Sequence, residues 1–298
     1  MKTGLIGLGV MGTALARNLY RAGHLSGVWT RTEERAHELA RELLEETDGA
    51  HGLSVASDPA ALAAGCEVVL TSVASDAALL EVVDAMGPGL QPGTVVVDIS
   101  TVSAATARAV AARLAEHDVE FLDAPVSGGA VGARDAKLVA MVGGEEETLA
   151  LVYPVLQVIA ARIVHMGEVG AGQATKAVNQ VMVAGINQAV CEALAFAEAM
   201  DLPMDKVIEV AGSGAAGNWY LDHRGASMVA GDFTPNFRVA LHHKDLTIAQ
   251  AMAAEAEVRL PLVEMTLLHY KRLMQAGHAD EDISALFRLK RELFTEPS

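Results

Sequence analysis

A glycine-rich segment near the amino terminus has the spacing to hold a diphosphate. Gly7-Leu8-Gly9-Val10-Met11-Gly12 lies between a short apolar segment, Lys2–Ile6, and a segment with helical spacing, Val10–Arg21. This order of strand, turn and helix is typical of a dinucleotide fingerprint. Gly7 permits the tight turn, Gly9 lets the backbone approach the diphosphate, and Gly12 lets the helix pack closely on the strand. The free N–H groups of the helix would then face the anion; the alternative is an ordinary glycine-rich turn.

The end of the second expected strand indicates which dinucleotide is bound. An acidic residue there would hydrogen-bond the adenosine ribose of NAD and repel the 2′-phosphate of NADP. The residues are Trp29-Thr30-Arg31-Thr32, which include no carboxylate. Arg31 offers a planar guanidinium suited to phosphate. We therefore expect NADP, with NAD as the alternative, contacted by Thr30, Arg31 and Thr32, unless Arg31 is only a solvated surface charge.

Lys176 is the candidate acid/base, near the start of a long apolar helix. Adding hydride to a carbonyl creates an alkoxide, which needs a positioned acid within hydrogen-bond reach. The positive end of the helix and desolvation are both expected to lower the pKa of Lys176. Asn179 and Gln180 lie three and four residues later, so they share its helix face and can orient the ammonium or a substrate. The alternatives are a surface lysine on a buried helix and, for Asn179, an amide bonded locally.

Ser127-Gly128-Gly129 by itself predicts a loop, although its polar groups could also bind an anion. The segment follows a strand and supplies a hydroxyl and two unencumbered backbone N–H groups in a turn, a geometry suited to an anion. Thr101 follows another strand, and with Ser103 it also precedes a helical segment, where either residue could act as a helix cap.

Five segments in one order resemble the β-hydroxyacid dehydrogenase family, whose members include 3-hydroxyisobutyrate dehydrogenase and tartronate semialdehyde reductase (2-hydroxy-3-oxopropionate reductase). The resemblance covers about residues 2–290. Two departures are present: the family often has two asparagines where this chain has Asn179-Gln180, and the loop after the third expected strand lacks the proline common in the family. The segments that carry the resemblance are residues 7–12, Asp98-Ile99-Ser100-Thr101, residues 123–129, residues 170–180 and Lys244-Asp245-Leu246.

The resemblance implies a role for each matching residue. Lys176 would be the acid/base, and Ser127, Gly128 and Gly129 would bind the substrate carboxylate together with Asn179 and Gln180. Thr101 would contact the cofactor near the nicotinamide ribose. Lys244 would close over the cofactor from the second domain, across a cleft that holds the substrate; without the resemblance it would be interpreted as a solvated charge beside His242 and His243. The implied reaction interconverts a small 3-hydroxy acid and its semialdehyde with NADP.

Composition excludes several other classes of protein. Of 298 residues, 22 are Lys or Arg and 38 are Asp or Glu, which gives a formal charge of −16. Such a chain repels nucleic acid and anionic membrane surfaces, so we expect neither partner. Cys66 and Cys191 lack the spacing of a metal site or a disulfide framework, and we expect no metal and a cytoplasmic location. The apolar segment Val178–Phe196 is interrupted by amides and predicts a buried helix.

Alternating strands and helices predict a doubly wound α/β Rossmann domain over residues 1–166. Nearly all-apolar strands are typical of a parallel sheet covered on both faces. No strand signal follows Val164, so residues 167–298 are expected to form an all-helical substrate and oligomerisation domain. The predicted strands are 2–6, 27–30, 67–71, 94–99, 120–122, 137–142 and 163–164; the predicted helices are 10–21, 33–46, 77–86, 104–116, 145–160, 173–200, 204–211, 241–257, 261–276 and 283–294.

Two other functions compete with the dehydrogenase hypothesis. An imine reductase shares the glycine motif and topology, but its substrate has no carboxylate for Ser127-Gly128-Gly129 to bind. A non-catalytic NADP sensor would need no acid such as Lys176. A homodimer or homotetramer is expected from the resemblance and from the apolar helix of the second domain. Trp219 and Tyr220 could line the substrate pocket or pack in the core, and His242 and His243 receive no role.

Overall fold

The computed structural model describes residues 1–47 and 51–295. The chain divides into two compact units, Met1–Lys176 and Ala177–Ser298. The division falls inside a long helix, so the first turns of that helix belong to the first unit. The sequence-based domain boundary after residue 166 stays a prediction.

The first unit contains a nine-stranded sheet in its described part. Its strands are β1 (Thr3–Ile6), β2 (Leu25–Trp29), β3 (Ser54–Val55), β4 (Val68–Thr71), β5 (Val95–Asp98), β6 (Glu120–Asp123), β7 (Val126–Ser127), β8 (Leu138–Gly143) and β9 (Ala160–Gly167). Its helices are α1 (Val10–Arg21), α2 (Glu33–Glu46), α3 (Pro59–Ala64), α4 (Asp76–Met86), α5 (Ala104–Ala115), α6 (Gly129–Arg134) and α7 (Glu146–Leu156), with a 3₁₀ turn at Gly87–Gly89.

The strand order confirms the predicted doubly wound fold. The order is β3-β2-β1-β4-β5-β6-β8-β7, with β9 beside β8. From β1 to β3 successive strands are added on one side of β1, and from β4 they are added on the other side. Ligands of open α/β sheets bind at such a switch point, beyond the carboxyl ends of the strands. Strands β1 to β6 pair in parallel. Strand β8 is antiparallel to both β6 and β7, because the short segment between Ser127 and Leu138 cannot make a parallel crossover.

Alternate residues of each central strand enter different cores, which explains the apolar strands. Leu5 packs into the cluster on one face of the sheet, and its neighbour Ile6 packs into the cluster on the other. Val95 and Val97 join the first cluster, while Val96 joins the second. Burial on both faces removes the polar alternation of a half-exposed strand. This sheet therefore holds the carboxyl ends of β1, β4, β5 and β6 in a fixed row.

Helices and their connecting loops form the described part of the second unit, with one isolated β-bridge between Arg238 and Asp282. Its helices are the later part of α8 (Ala171–Ala199), then α9 (Met204–Ser213), α10 (Trp219–Val229), α11 (Val239–Glu255), α12 (Pro261–Gln275) and α13 (Leu286–Thr295), with a 3₁₀ turn at Ile283–Ala285. Among the described residues, α8 is the one helix long and apolar enough to cross a membrane by length and composition. Half of its apolar stretch is buried in the protein. It also carries buried amides: Asn187 donates to the Tyr270 hydroxyl at 3.0 Å, as in the core helix of a globular domain.

The sequence missed three helices of the fold. Helix α3 begins after Asp58, whose side chain accepts from Ala61 N at 2.8 Å, and Pro59 occupies its first turn. Helix α10 begins after Asn218, whose side chain accepts from Leu221 N at 2.9 Å. Both capping residues are visible in the sequence as helix-start signals. The third, α6, contains two glycines in six residues, a composition that predicts a loop.

Candidate active site

The glycine motif forms the turn from β1 into α1 at the switch point. Gly7 has φ +95°, and a Cβ at this position would lie 2.1 Å from the Ser72 carbonyl oxygen. A Cβ at Gly12 would lie 1.8 Å from the Gly7 carbonyl oxygen. Neither position can hold a side chain without moving backbone, so the turn and the helix-to-strand contact require these two glycines.

Gly9 differs from Gly7 and Gly12, the other two glycines of the motif, because it faces open space. An ideal Cβ there meets nothing within 4 Å, and Gly9 is the N-cap of α1 without a side-chain cap. The first turn of α1 carries no acidic residue. The amino end of α1 therefore presents its N–H groups and partial positive charge without a carboxylate to oppose an anion. Leu8 is buried, Met11 is half-buried and Val10 is exposed.

The expected specificity residues lie at the end of β2 and the start of α2. Thr30 is half-buried, while Arg31 and Thr32 are exposed. Thr32 is the N-cap of α2 but makes no side-chain cap hydrogen bond. Sequence reasoning missed Arg35, whose Nη1 donates to the Leu8 carbonyl oxygen at 3.2 Å. No local signal marks this contact, because Arg35 lies in α2 and reaches Leu8 only when α2 packs beside the glycine turn.

Two buried polar groups hold the loop that carries Thr101. Asp98 ends β5, and its Oδ1 accepts from Thr71 Oγ1 at 2.7 Å and from Ser100 Oγ at 2.6 Å. Burial raises the pKa of Asp98 to about 7, against the opposing effect of those hydrogen bonds. Ser100 Oγ in turn accepts from Val73 N at 2.8 Å. Thr101 is half-buried, and Ser103 rather than Thr101 is the N-cap of α5.

The Ser127-Gly128-Gly129 segment joins β7 to α6. Ser127 pairs with Val139 in the sheet. Gly128 and Gly129 have φ values of +132° and +63°, a backbone region that disfavours other residues. Ser127 and Gly129 are half-buried and Gly128 is exposed. The glycines therefore give this segment a backbone path that a side chain would strain.

Lys176 lies beside this segment. It belongs to the second turn of α8, is 7% exposed, and its Nζ donates to the Val126 carbonyl oxygen at 2.9 Å. Val126 immediately precedes Ser127, so the structure brings the predicted acid/base and the predicted carboxylate site together. The two positions are 50 residues apart in sequence, and the fold of the first unit alone makes this contact.

The remaining predicted site residues meet in the second unit. Asn179 Nδ2 donates to Gln180 Oε1 at 2.9 Å, and Gln180 Nε2 donates to Asp245 Oδ2 at 2.8 Å. Lys244 forms an ion pair with Asp245 at 3.0 Å. Sequence reasoning assigned no role to Asp245, which connects Gln180 to Lys244; its place in the Lys244-Asp245-Leu246 motif was the available signal.

Of the other residues that sequence reasoning left open, His242 lies beside this group, with its Nε2 3.3 Å from the Gln180 carbonyl oxygen. Trp219 is exposed and stacks on His223 at 4.2 Å between ring centroids, while Tyr220 is buried in the helical core. His242 is buried and hydrogen-bonds the Tyr270 hydroxyl at 2.9 Å. Burial lowers the pKa of His243, which is half-buried. Within residues 1–47 and 51–295, no group of three His, Cys, Asp or Glu side chains is arranged to hold a metal.

The sheet order, the glycine turn at its switch point and the helical second unit define a dinucleotide-binding protein of the Rossmann class. Two family models match the chain. The NAD binding domain of 6-phosphogluconate dehydrogenase matches residues 2–167, and the NAD-binding domain of NADP-dependent 3-hydroxyisobutyrate dehydrogenase matches residues 170–290.

Individual relatives match over almost the whole chain. A probable 3-hydroxyisobutyrate dehydrogenase of Mycobacterium tuberculosis is 34% identical over 294 residues, which are 96% of each chain. The L-threonate dehydrogenase of Cupriavidus necator is 33% identical, over 96% of this chain and 95% of its own. The crystal structure of 3-hydroxyisobutyrate dehydrogenase from Salmonella typhimurium superposes with a TM-score of 0.83 at 32% identity, covering 97% of this chain and 99% of that one.

The chain belongs to the β-hydroxyacid dehydrogenase family. It is therefore an oxidoreductase that uses a nicotinamide dinucleotide and acts on hydroxy acids. The family relationship predicted from the sequence motifs is confirmed.

Proposed function

We propose that the protein is an NADP-preferring enzyme that interconverts a small 3-hydroxy acid and its semialdehyde, with Lys176 as the acid/base. The observation that carries this proposal is the buried ammonium of Lys176, held on the Val126 carbonyl oxygen at 2.9 Å next to Ser127. A cation held at the carbonyl that precedes Ser127, Gly128 and Gly129 suits a substrate that has both a carboxylate and a reacting oxygen. An imine without a carboxylate would leave the Ser127 hydroxyl and the glycine N–H groups without a substrate group to bind.

When bound, a nicotinamide would supply or accept the hydride. Lys176 Nζ gives a proton to the carbonyl oxygen of the semialdehyde in reduction, and takes the hydroxyl proton through its neutral amine in oxidation. The hydrogen bond to Val126 O orients Nζ, so that less freedom is lost when the substrate binds. Ser127 Oγ and the backbone N–H groups of Gly128 and Gly129 bind the substrate carboxylate, with Asn179 and Gln180 as further polar contacts.

The NADP preference is supported by the charge at the end of β2. No carboxylate lies among Thr30, Arg31 and Thr32, and Arg35 adds a second guanidinium near Leu8. The matching family model of residues 170–290 is named for an NADP-dependent enzyme. Gly7 to Gly12 would bind the diphosphate, Thr101 the ribose near the nicotinamide, and Lys244 the cofactor.

The assembly is a homodimer or homotetramer in this proposal, in the cytoplasm and without nucleic acid or membrane partners. Along α8, exposed apolar side chains recur at a spacing of three or four residues, where a monomer would leave a continuous apolar surface in water. The exposed large side chains of this stripe are Val178, Met182, Ile186 and Phe196, with the exposed alanines Ala189 and Ala193 between the last two.

A substrate panel tests the proposal. Purified protein is given NADPH or NADH with tartronate semialdehyde, methylmalonate semialdehyde, succinate semialdehyde or a cyclic imine, and cofactor oxidation is followed at 340 nm (about the nicotinamide absorption maximum). We expect turnover of tartronate or methylmalonate semialdehyde, whose products are 3-hydroxy acids, and a higher kcat/KM with NADPH. Turnover of succinate semialdehyde alone, which gives a 4-hydroxy acid, would contradict the proposed substrate class. Turnover of the imine alone would replace the proposal by an imine reductase, and tight NADPH binding without any turnover would replace it by a sensor.

The role of Lys176 is tested separately with Lys176→Met, which keeps the length of the side chain and removes its proton. We expect kcat to fall by about 10²- to 10⁴-fold, the usual contribution of a general acid, with the Kd for NADPH little changed. Lys206→Met, at an exposed lysine of α9, is the matched control and should retain full turnover. Full activity of Lys176→Met would refute the mechanism.

A further inference from the structure

Lys176 reaches Val126 because the start of α8 is attached to the same segment by a second group. Asp123 ends β6 and is fully buried. Its Oδ1 accepts from Gly170 N at 2.7 Å, and its Oδ2 accepts from Gln173 N at 2.8 Å. These N–H groups lie at the amino end of a helix and have no partner within it, so a carboxylate satisfies them and opposes the positive end of the helix.

Two hydrogen bonds join residues 123–126 to the start of α8, and their end points are three residues apart on each of the two segments. Asp123 and Val126 are three residues apart on one segment, and Gln173 and Lys176 are three residues apart on the helix. One pair is joined by the carboxylate at 2.8 Å and the other by the ammonium at 2.9 Å. The residues 123–126 therefore hold the first two turns of α8 at two points.

Close packing makes this attachment rigid. A Cβ at Gly172 would lie 2.4 Å from the Met141 carbonyl oxygen and 2.7 Å from the Asp123 carbonyl oxygen. A Cβ at Gly143 would lie 2.5 Å from Asp123 Oδ1. The helix thus meets β6 and β8 backbone to backbone, and no space remains for α8 to slide while the carboxylate is in place.

Gln173 joins the same helix turn to the loop of Thr101. Its side chain is 1% exposed; Nε2 donates to the Ser100 carbonyl oxygen at 2.8 Å, and Oε1 accepts from Val102 N at 3.2 Å. The two bonds flank Thr101 on both sides. One side chain therefore connects the proposed cofactor loop to the helix that carries Lys176.

We infer that Asp123 and Gln173 are positioning residues for Lys176: together they hold its ammonium against Val126 O and at a constant separation from Thr101. The inference rests on the proposed role of Lys176 for its effect on catalysis, but its structural claim concerns the position of the ammonium alone. Neither residue takes part in proton or hydride transfer.

The structural claim is tested without activity, by chemical labelling of lysines. Full-length wild type, Asp123→Asn and Gln173→Met are treated with acetic anhydride at one pH, and acetylation of each lysine is followed by mass spectrometry. Asn keeps the shape of Asp but offers one acceptor for two N–H groups, and Met keeps an unbranched chain without polar atoms. Lys290, a buried lysine of α13 paired with Glu192, is the internal reference for unfolding of the second unit, and the melting temperature of each variant shows whether the first unit stays folded.

We expect the labelling of Lys176 relative to Lys290 to rise by about 10-fold in each variant, the effect of losing hydrogen bonds to a buried or charged group. Asp58→Asn is the matched control, since the Asp58 carboxylate also caps a helix, but that helix is α3 and not α8. The labelling ratio of this variant should equal that of wild type. A ratio within about twofold of wild type in a folded variant would overturn the inference. If Asp123→Asn does not fold, Gln173→Met decides.

Kinetics test the catalytic consequence. We expect kcat to fall by about 10-fold or more in both variants with the KM for the hydroxy acid changed much less, because Lys176 is displaced. The Kd for NADPH should stay unchanged in Asp123→Asn, where Gln173 still holds the loop of Thr101. The pH profile of kcat should also move, which a loss of stability alone would not cause. Wild type without turnover would refute the proposed function and leave the labelling result intact. Active wild type with unchanged variants would refute the positioning role alone.

Discussion

The buried carboxyl group of Asp98 makes the stability of the first unit depend on pH. Its Oδ1 accepts hydrogen bonds from Thr71 and Ser100, while its Oδ2 is buried without a hydrogen-bond partner among the described residues. Burial raises the pKa from 3.8 to about 7. The folded state therefore binds this proton more tightly than the unfolded chain, and the free energy of unfolding must fall as the pH rises between the two values.

The size of the effect follows from the two pKa values. At about 1.4 kcal/mol per pKa unit, the change from 3.8 to about 7 corresponds to a loss of about 4 kcal/mol that is complete above about pH 7. About 3 kcal/mol of that loss lies between pH 5 and pH 8. Asp98→Asn cannot ionise, and its amide oxygen can still accept from Thr71 and Ser100, so we expect the variant to lack this pH-dependent loss.

The measurement is urea unfolding followed by the fluorescence of a tryptophan in the first unit. The chain has two tryptophans, Trp29 in β2 and the exposed Trp219 in α10, so Trp219→Phe leaves a reporter of the first unit. Wild type and Asp98→Asn are compared in this background at one protein concentration from pH 5 to pH 8. The difference in unfolding free energy, wild type minus variant, should fall by about 3 kcal/mol across this range.

Subtracting the variant removes the effects of other titrating groups. Burial lowers the pKa of His269, but this group is present in both proteins. The charge of Asp123 helps to raise the pKa of Asp98, so its effect on Asp98 is part of the measured difference. A constant unfolding penalty of the Asn side chain shifts the whole curve without tilting it. A difference that stays flat between pH 5 and pH 8 would show that Asp98 does not exchange its proton on folding, and the reasoning would be refuted.

Three further predictions concern the cofactor site and the assembly. Gly12→Ala should lower the melting temperature and weaken NADPH binding by about 10-fold or more, because a Cβ would clash with backbone. Gly9→Ala should weaken NADPH binding but leave the melting temperature unchanged. Equal melting temperatures for the two variants would contradict the packing argument. Arg31→Asp should move the ratio of kcat/KM for NADPH over NADH towards NADH by about 10-fold or more, through repulsion of the 2′-phosphate, and an unchanged ratio would remove Arg31 from the specificity site. Phe196→Glu should shift the mass measured by light scattering towards the monomer, because a charge in the apolar stripe of α8 would be buried unpaired in an assembly; an unaltered mass would place the interface elsewhere.

Local periodicity predicted most elements of the fold. Helix α2 has the predicted bounds, Glu33–Glu46, because its apolar residues recur at the helical period throughout. Strand β9 was predicted at residues 163–164 but covers Ala160–Gly167, since most of its residues are partly exposed and lack an apolar run. Helix α10 was missed because glycine-rich sequence surrounds it, although Asn218 marks its start.

The candidate site divides in the same way between local and distant effects. The glycine turn could be predicted because a strand, three glycines and a helix are adjacent in sequence and their conformations are local. The hydrogen bonds of Asp123 with Gly170 and of Gln180 with Asp245 could not be predicted. Their partners are 47 and 65 residues apart in sequence, so only the packing of the fold brings them together. Arg35 was missed for a similar reason, since its contact with Leu8 exists only when α2 lies beside the glycine turn.

The sequence by itself determined the class of fold, the dinucleotide turn and the identity of the candidate acid, because each depends on residue type at short spacing. The tertiary structure alone decided which carbonyl receives the Lys176 ammonium, that Asp123 caps the helix carrying it, and that Asp98 is buried deeply enough to raise its pKa. These depend on the close approach of β5, β6 and α8, where excluded water strengthens each hydrogen bond and penalises each charge.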